Sequence, residues 1–111
     1  MYSVSDKTQL FTVYKTKYFM KLLDYLKDEI AQAHVVTWIA RIETGFLGNA
    51  KFFRGIGELK INRGLGYRVY FFKQGKEIIL LLNGGDKSTQ QKDIEKALQL
   101  VKEIKNGNHQ V

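Results

Sequence analysis

Cysteine is absent from the 111 residues, and so is proline. Without thiols no disulfide can form, and no thiolate zinc or iron–sulfur centre can be built. That fits a reducing cytosol without requiring one. Long apolar stretches are missing as well. The longest uncharged apolar run is Ile78–Leu82, which is strand length and far short of the roughly 18 residues that span a membrane. Residues 1–16, MYSVSDKTQLFTVYKT, have no basic start followed by an apolar block, which argues against a secretion signal. No His, Asp and Glu residues recur at metal-ligand spacing, and the glycines spell neither a P-loop nor a dinucleotide fingerprint. The expectation is therefore a cytoplasmic protein with no membrane segment, no metal and no small-molecule cofactor. Its length suits a single domain, residues 1–111, with 108–111 as a frayed tail.

What the chain has is positive charge, and it is unevenly spread. There are 18 Lys and Arg against 11 Asp and Glu, a net +7. Residues 51–76 hold seven basic groups (Lys51, Arg54, Lys60, Arg63, Arg68, Lys73 and Lys76) and one acidic group, Glu58. Six of the seven net charges thus fall on about a quarter of the chain. A basic surface of that density fits a polyanionic partner, with RNA first among them.

The hydrophobic spacing gives the elements. Gln9–Tyr14 mixes β-branched and aromatic residues and reads as an edge strand. Thr16 can cap a helix whose apolar positions are Phe19, Leu22, Leu23, Leu26 and Ile30. Val35, Ile39, Ile42 and Phe46 continue the helical period on a different face. Asp28 can cap this second set, making an α-hairpin, and one long bent helix is the alternative. Asn49–Gly55 reads as a basic loop. Gly57–Arg63, Tyr67–Lys73 and Ile78–Leu82 form an antiparallel meander, with Leu59 and Ile61 on its buried side. Ser88 and Gln91 have the spacing of a capping box for a last helix with the stripe Ile94, Ala97, Leu98, Val101 and Ile104. The order β-α-α-β-β-β-α predicts an α+β, two-layer domain, with a helical hairpin packed on a mainly antiparallel sheet.

Within that order, Glu58-Leu59-Lys60-Ile61, Gly64-Leu65-Gly66-Tyr67-Arg68-Val69-Tyr70-Phe71 and Gly84-Gly85-Asp86-Lys87-Ser88-Thr89-Gln90 resemble the RelE/ParE toxin superfamily of bacterial toxin–antitoxin modules. The pattern is similar to its HigB-like branch of addiction-module killer proteins, except that Leu65 stands where the family often has proline. The resemblance implies a RelE-like fold and a ribosome-dependent endoribonuclease. Such an enzyme needs no metal, and the ribose 2′-OH of the mRNA attacks the adjacent phosphate. It also implies a helix-turn-helix antitoxin as partner, and contacts to ribosomal RNA. Two other outcomes stay open under the same resemblance: a ParE-like inhibitor of DNA gyrase, and a catalytically decayed member that only binds RNA or antitoxin.

Metal-free cleavage of this kind needs fixed cations at the phosphate and groups that move two protons. Arg68 occupies the Tyr-Arg position that carries a phosphate-binding arginine in RelE-type enzymes. Its planar guanidinium can grip two phosphate oxygens. Tyr70 shares its strand face. Two readings stand for that phenol: proton transfer or base stacking with a pKa lowered by nearby cations, or a packed core tyrosine. Lys87, at the start of the last helix, matches a position where the family often has a catalytic cation. Lys60 joins the active face because Leu59 and Ile61 need the core. Arg54, Arg63 and Lys73 are the candidate RNA contacts, with Arg63 facing away from Lys60 unless the turn re-aims it. His34 reads as a surface residue or helix–helix filler, and His109 lies in the tail.

Overall fold

Asp28 divides the helical zone. In the computed structural model, which describes residues 10–107, its carboxylate accepts from the amides of Ile30 at 3.0 Å and Ala31 at 3.2 Å. Those bonds satisfy donors that a helix start leaves unpaired, and helix α2 runs Glu29–Ile42. Thr16 does the same for α1, Lys17–Tyr25, accepting from the Phe19 amide at 3.1 Å. Leu26, in an extended conformation, ends α1. The hairpin is therefore real, and the single bent helix is not. Phe46 falls beyond the end of α2 and is exposed, as is Ile30; neither belongs to the buried stripe.

Five strands form one sheet: β1 Thr12–Lys15, β2 Lys51–Phe53, β3 Ile56–Ile61, β4 Tyr67–Gln74 and β5 Ile78–Gly85. Their order is β1-β5-β4-β3-β2. β1 pairs β5 in parallel and the remaining neighbours are antiparallel. β1 does lie at an edge, starting later than expected; Gln9 is outside the described residues. The stretch expected to be a basic loop instead supplies β2. Arg54 and Gly55, both at positive φ (52° and 85°), make the two-residue hairpin that joins it to β3.

Alternation along the strands feeds two apolar clusters. Leu59, Ile61, Tyr67, Val69, Phe71, Ile79 and Leu81 pack with Phe19, Leu22, Val35, Trp38 and Ile42 of the helical hairpin. Ile56, Tyr70 and Leu82 pack with Ala97, Leu100, Val101 and Ile104 of α3, Gln90–Lys105. Each Val, Leu, Ile or Phe among them, fully buried, contributes about 1.5–3 kcal/mol. The α+β class holds, and the element order holds with one strand, β2, added to it. The two-layer expectation does not: α3 covers the sheet face opposite the hairpin, because strand alternation leaves apolar side chains on both faces to be buried.

The start of α3 also differs from expectation. Ser88 and Gln91 form no capping box. Asp86 is the cap, accepting from the Ser88 amide at 2.8 Å and from the Ser88 hydroxyl, while Gln91 bonds Glu95 at 3.1 Å. A 3-10 turn, Lys87–Thr89, is inserted before the helix, so the cap sits one turn earlier than the S-x-x-Q spacing implies.

Candidate functional site

Lys60 of β3 and Arg68 of β4 are register partners. Alternation sends both to the α3 side of the sheet, since Leu59, Ile61, Tyr67 and Val69 go to the other. Past Ile61 the chain turns back through Gly64 and Gly66, at φ 57° and 72°. Within that turn the Arg63 amide donates to Ile61 at 2.8 Å and the Gly66 amide to Arg63 at 3.0 Å. The turn does re-aim Arg63. Its Nε donates to Asp28 at 3.0 Å, tying the turn to the cap of α2. From the opposite side the Lys87 amide donates to the Leu65 carbonyl at 3.1 Å. These ties gather Lys60, Arg63, Arg68 and Lys87 around one cleft of about 410 Å³, with Asn62 and Gly66 in its wall and no carboxylate among its lining residues.

Arg68 lies deepest. It is only 6% exposed. One guanidinium nitrogen, Nη1, donates to the Gly66 carbonyl at 2.6 Å, while the buried Nε–H has no partner. A buried charged donor left unpaired is costly, and an oxyanion in the cleft is the partner that would relieve it. Asp86 stands behind. Its carboxyl is held below the ordinary carboxylate range, first by the Ser88 hydroxyl and in smaller part by the positive charge of Arg68.

Tyr70 requires a correction. It shares the face of Arg68 but is fully buried in the α3 cluster. Burial first, and then the adjacent Glu58 carboxylate, push its pKa well above the ordinary phenol range, against the catalytic reading and in line with the packed-core one. No ring face is open to a base, and its hydroxyl has no hydrogen bond of acceptable geometry. Tyr70 backs the cleft rather than lining it. Arg54 and Lys73 do not join the cleft either. Arg54 sits in the β2–β3 hairpin, 3.5 Å from Glu95. Lys73 is five residues along β4 from Arg68, so roughly 17 Å away and on the opposite face. Its Nζ donates to Gly75 at 3.1 Å and lies over the Phe11 ring.

Two residues of the site were not singled out. Asn62 lines the cleft between Lys60 and Arg63. Glu58 is buried beneath it, opposite Tyr70, and accepts from Gln90 at 3.1 Å. The alternation that picked Lys60 puts Glu58 on the same face, and that signal was available. His34 is exposed on α2 and outside the cleft; His109 lies outside the described residues. Among the described residues, no three His, Asp or Glu side chains gather where they could hold a metal ion. No described helix is long and apolar enough to cross a membrane.

Comparison with known proteins gives a relative and a fold. No family model matches the chain. An uncharacterized protein of Haemophilus influenzae is 44% identical over 87 residues, spanning 78% of this chain and 88% of that one. Among solved structures, a free-state mutant of the Escherichia coli toxin RelE superposes with a TM-score of 0.67 at 12% identity, over 83% of this chain and 98% of that one. A chain of the Mycobacterium tuberculosis toxin–antitoxin complex RelBE2 gives 0.54 at 20% identity, over 70% and 92%. The five-stranded sheet with its hairpin and closing helix is thus the RelE fold.

Proposed function

Because the chain belongs to the same family as that Haemophilus influenzae protein and is built on the RelE fold, we propose that it is the toxin of a toxin–antitoxin pair, an endoribonuclease that cuts mRNA on the ribosome. One observation carries this reading: Lys60, Arg68 and Lys87, with Arg63 held by Asp28 beside them, line a cleft that has no carboxylate in its lining, around a buried arginine with an unpaired N–H. That is the electrostatics a phosphorane needs, built in before the substrate arrives.

In this reading Arg68 binds a non-bridging phosphate oxygen through the guanidinium that lines the cleft. Lys60, its cross-strand partner, and Lys87, at the other lip, hold the remaining charge. The 2′ oxygen bonds to phosphorus as the bond to the 5′ oxygen breaks. The 2′-OH proton leaves to solvent, and a lysine ammonium gives a proton to the 5′ oxygen. Arg63 and Asn62 guide the strand at the mouth. The partner of such a toxin is an antitoxin, as in the RelBE2 complex; for a HigB-like chain it is a small helix-turn-helix protein. Toxin and target meet in the cytoplasm.

The test maps 5′ ends on a translated mRNA with purified protein, with and without ribosomes. New ends that need ribosomes and vanish with Arg68→Ala support the reading. Intact mRNA in both conditions sinks it. A gyrase supercoiling assay then asks whether the chain is an inhibitor instead.

A further inference from the structure

A second groove opens beside the cleft and shares a wall with it. Strand β2 covers only Ile56–Glu58 of β3, so the outer side of Leu59–Asn62 faces the C-terminal end of α2 and the turn that follows. The space between has a volume of about 620 Å³, within the range that buries a nucleotide-sized group. Lys60 and Asn62 line both this groove and the cleft. The rest of the wall includes His34, Arg41, Trp38 and Phe46, with no carboxylate. The turn is held in place. The Trp38 indole N–H donates to Leu47 at 3.2 Å, the Phe46 amide donates to Arg41 at 3.1 Å, and Gly48 sits at φ 66°. Phe46 is 55% exposed there, so its ring is accessible from the groove.

We propose that an RNA strand leaving the cleft crosses Lys60 and Asn62 and continues in this groove, with Arg41 on a backbone phosphate and Phe46 against a base. Two observations favour RNA over a protein segment. The groove is continuous with the cationic cleft, and its charge is of the same sign. An exposed aromatic ring next to an arginine is also the pairing by which single strands are held without regard to sequence. The groove lengthens the binding site beyond the scissile phosphate. The inference rests on the reading of the cleft as an RNA site.

The test uses the full chain and fluorescein-labelled 2′-O-methyl oligoribonucleotides, which the enzyme cannot cut. One is short, roughly three nucleotides, and one is long, roughly nine. Arg41 and Phe46 are exposed, so Arg41→Ala and Phe46→Ala keep the fold, and thermal melting checks that. Each is expected to weaken the long oligonucleotide about tenfold and leave the short one unchanged. Arg41→Ala should also lower the slope of log affinity against log salt by about one. Trp38, the sole tryptophan, should change its emission with the long oligonucleotide and not with the short one. Unchanged affinity for the long oligonucleotide in both variants overturns the groove, while its loss in Arg68→Ala leaves the cleft reading standing. Variants that keep RNA affinity but lose the antitoxin assign the groove to a protein partner and overturn it too. If neither oligonucleotide binds the unmodified chain, the groove proposal falls, and the cleft reading is decided by the cleavage assay with ribosomes.

Discussion

Arg68 donates to the carbonyl of Gly66, two residues before it, at 2.6 Å. The turn that makes this bond needs φ 72° at Gly66. A Cβ there would stand 3.2 Å from Arg68 Nη1 and 3.5 Å from Lys87 Cβ. The guanidinium thus rests on a surface only glycine provides, in the wall of the cleft.

Gly66→Ala is therefore expected to damage activity more than stability. The positive φ costs about 1 kcal/mol for alanine, whereas displacing Arg68 should lower ribosome-dependent cleavage tenfold or more, on the order expected for a misplaced catalytic group. Melting and cleavage assays on one preparation check this. A variant that melts early and cleaves normally would contradict it.

Arg68→Lys keeps the charge and loses the planar fork. If the arginine grips two oxygens, cleavage should fall by roughly 10²-fold, close to the effect of Arg68→Ala. Full activity in the lysine variant would mean that only a point charge is needed.

Tyr70 separates packing from chemistry. Tyr70→Phe removes a hydroxyl that has no hydrogen bond, so stability should hold or rise and cleavage should persist. Tyr70→Ala opens a cavity in the α3 cluster and should cost about 3–5 kcal/mol. The folded-state pKa of Tyr70 is raised, so above about pH 10 the unfolded chain loses the proton first and stability falls. Tyr70→Phe should flatten that alkaline decline, as urea midpoints measured against pH would record.

At the acid end the sign reverses. Asp28 is held below the ordinary range, first by the Ala31 amide and then by Arg63, and Asp86 first by Ser88. Each favours the fold above the unfolded carboxylate pKa of about 4, and that contribution is lost as pH falls through the lower folded value. Asp93, raised chiefly by burial, works the other way. Asp86→Asn should therefore leave stability less dependent on pH below about 4, with a melting series as the check.

Gly57 tests the core on the hairpin side. A Cβ there would lie 2.2 Å from the ring of Phe71, which the opposite strand positions as its partner. Gly57→Ala should cost about 1–3 kcal/mol or more through overpacking, and pulse proteolysis or melting would show it.

Much of this was legible locally. Asp28 and Thr16 cap helices because their own short side chains reach amides two or three residues on. Lys60 and Arg68 share a face because strand alternation has a fixed period of two. Leu59, Ile61 and Tyr67 are core for the same reason. The capping box failed because Asp86 competes for the same amide from two residues upstream of Ser88, and a motif read in isolation does not register a rival acceptor.

The sequence by itself determined which side chains could enter a cationic site, since charge and alternation are properties of the chain. Only the tertiary structure decided which of them do. Lys87 meets Lys60 through one bond from its amide to Leu65, and Arg63 turns inward through two glycines and a bond to Asp28. Arg54 and Lys73, equally basic, are carried elsewhere by a hairpin and by the length of β4. Burial of Tyr70 likewise came from α3 closing over the face opposite the hairpin. These are contacts between distant parts of the chain, set by how layers pack, and no local pattern encodes them.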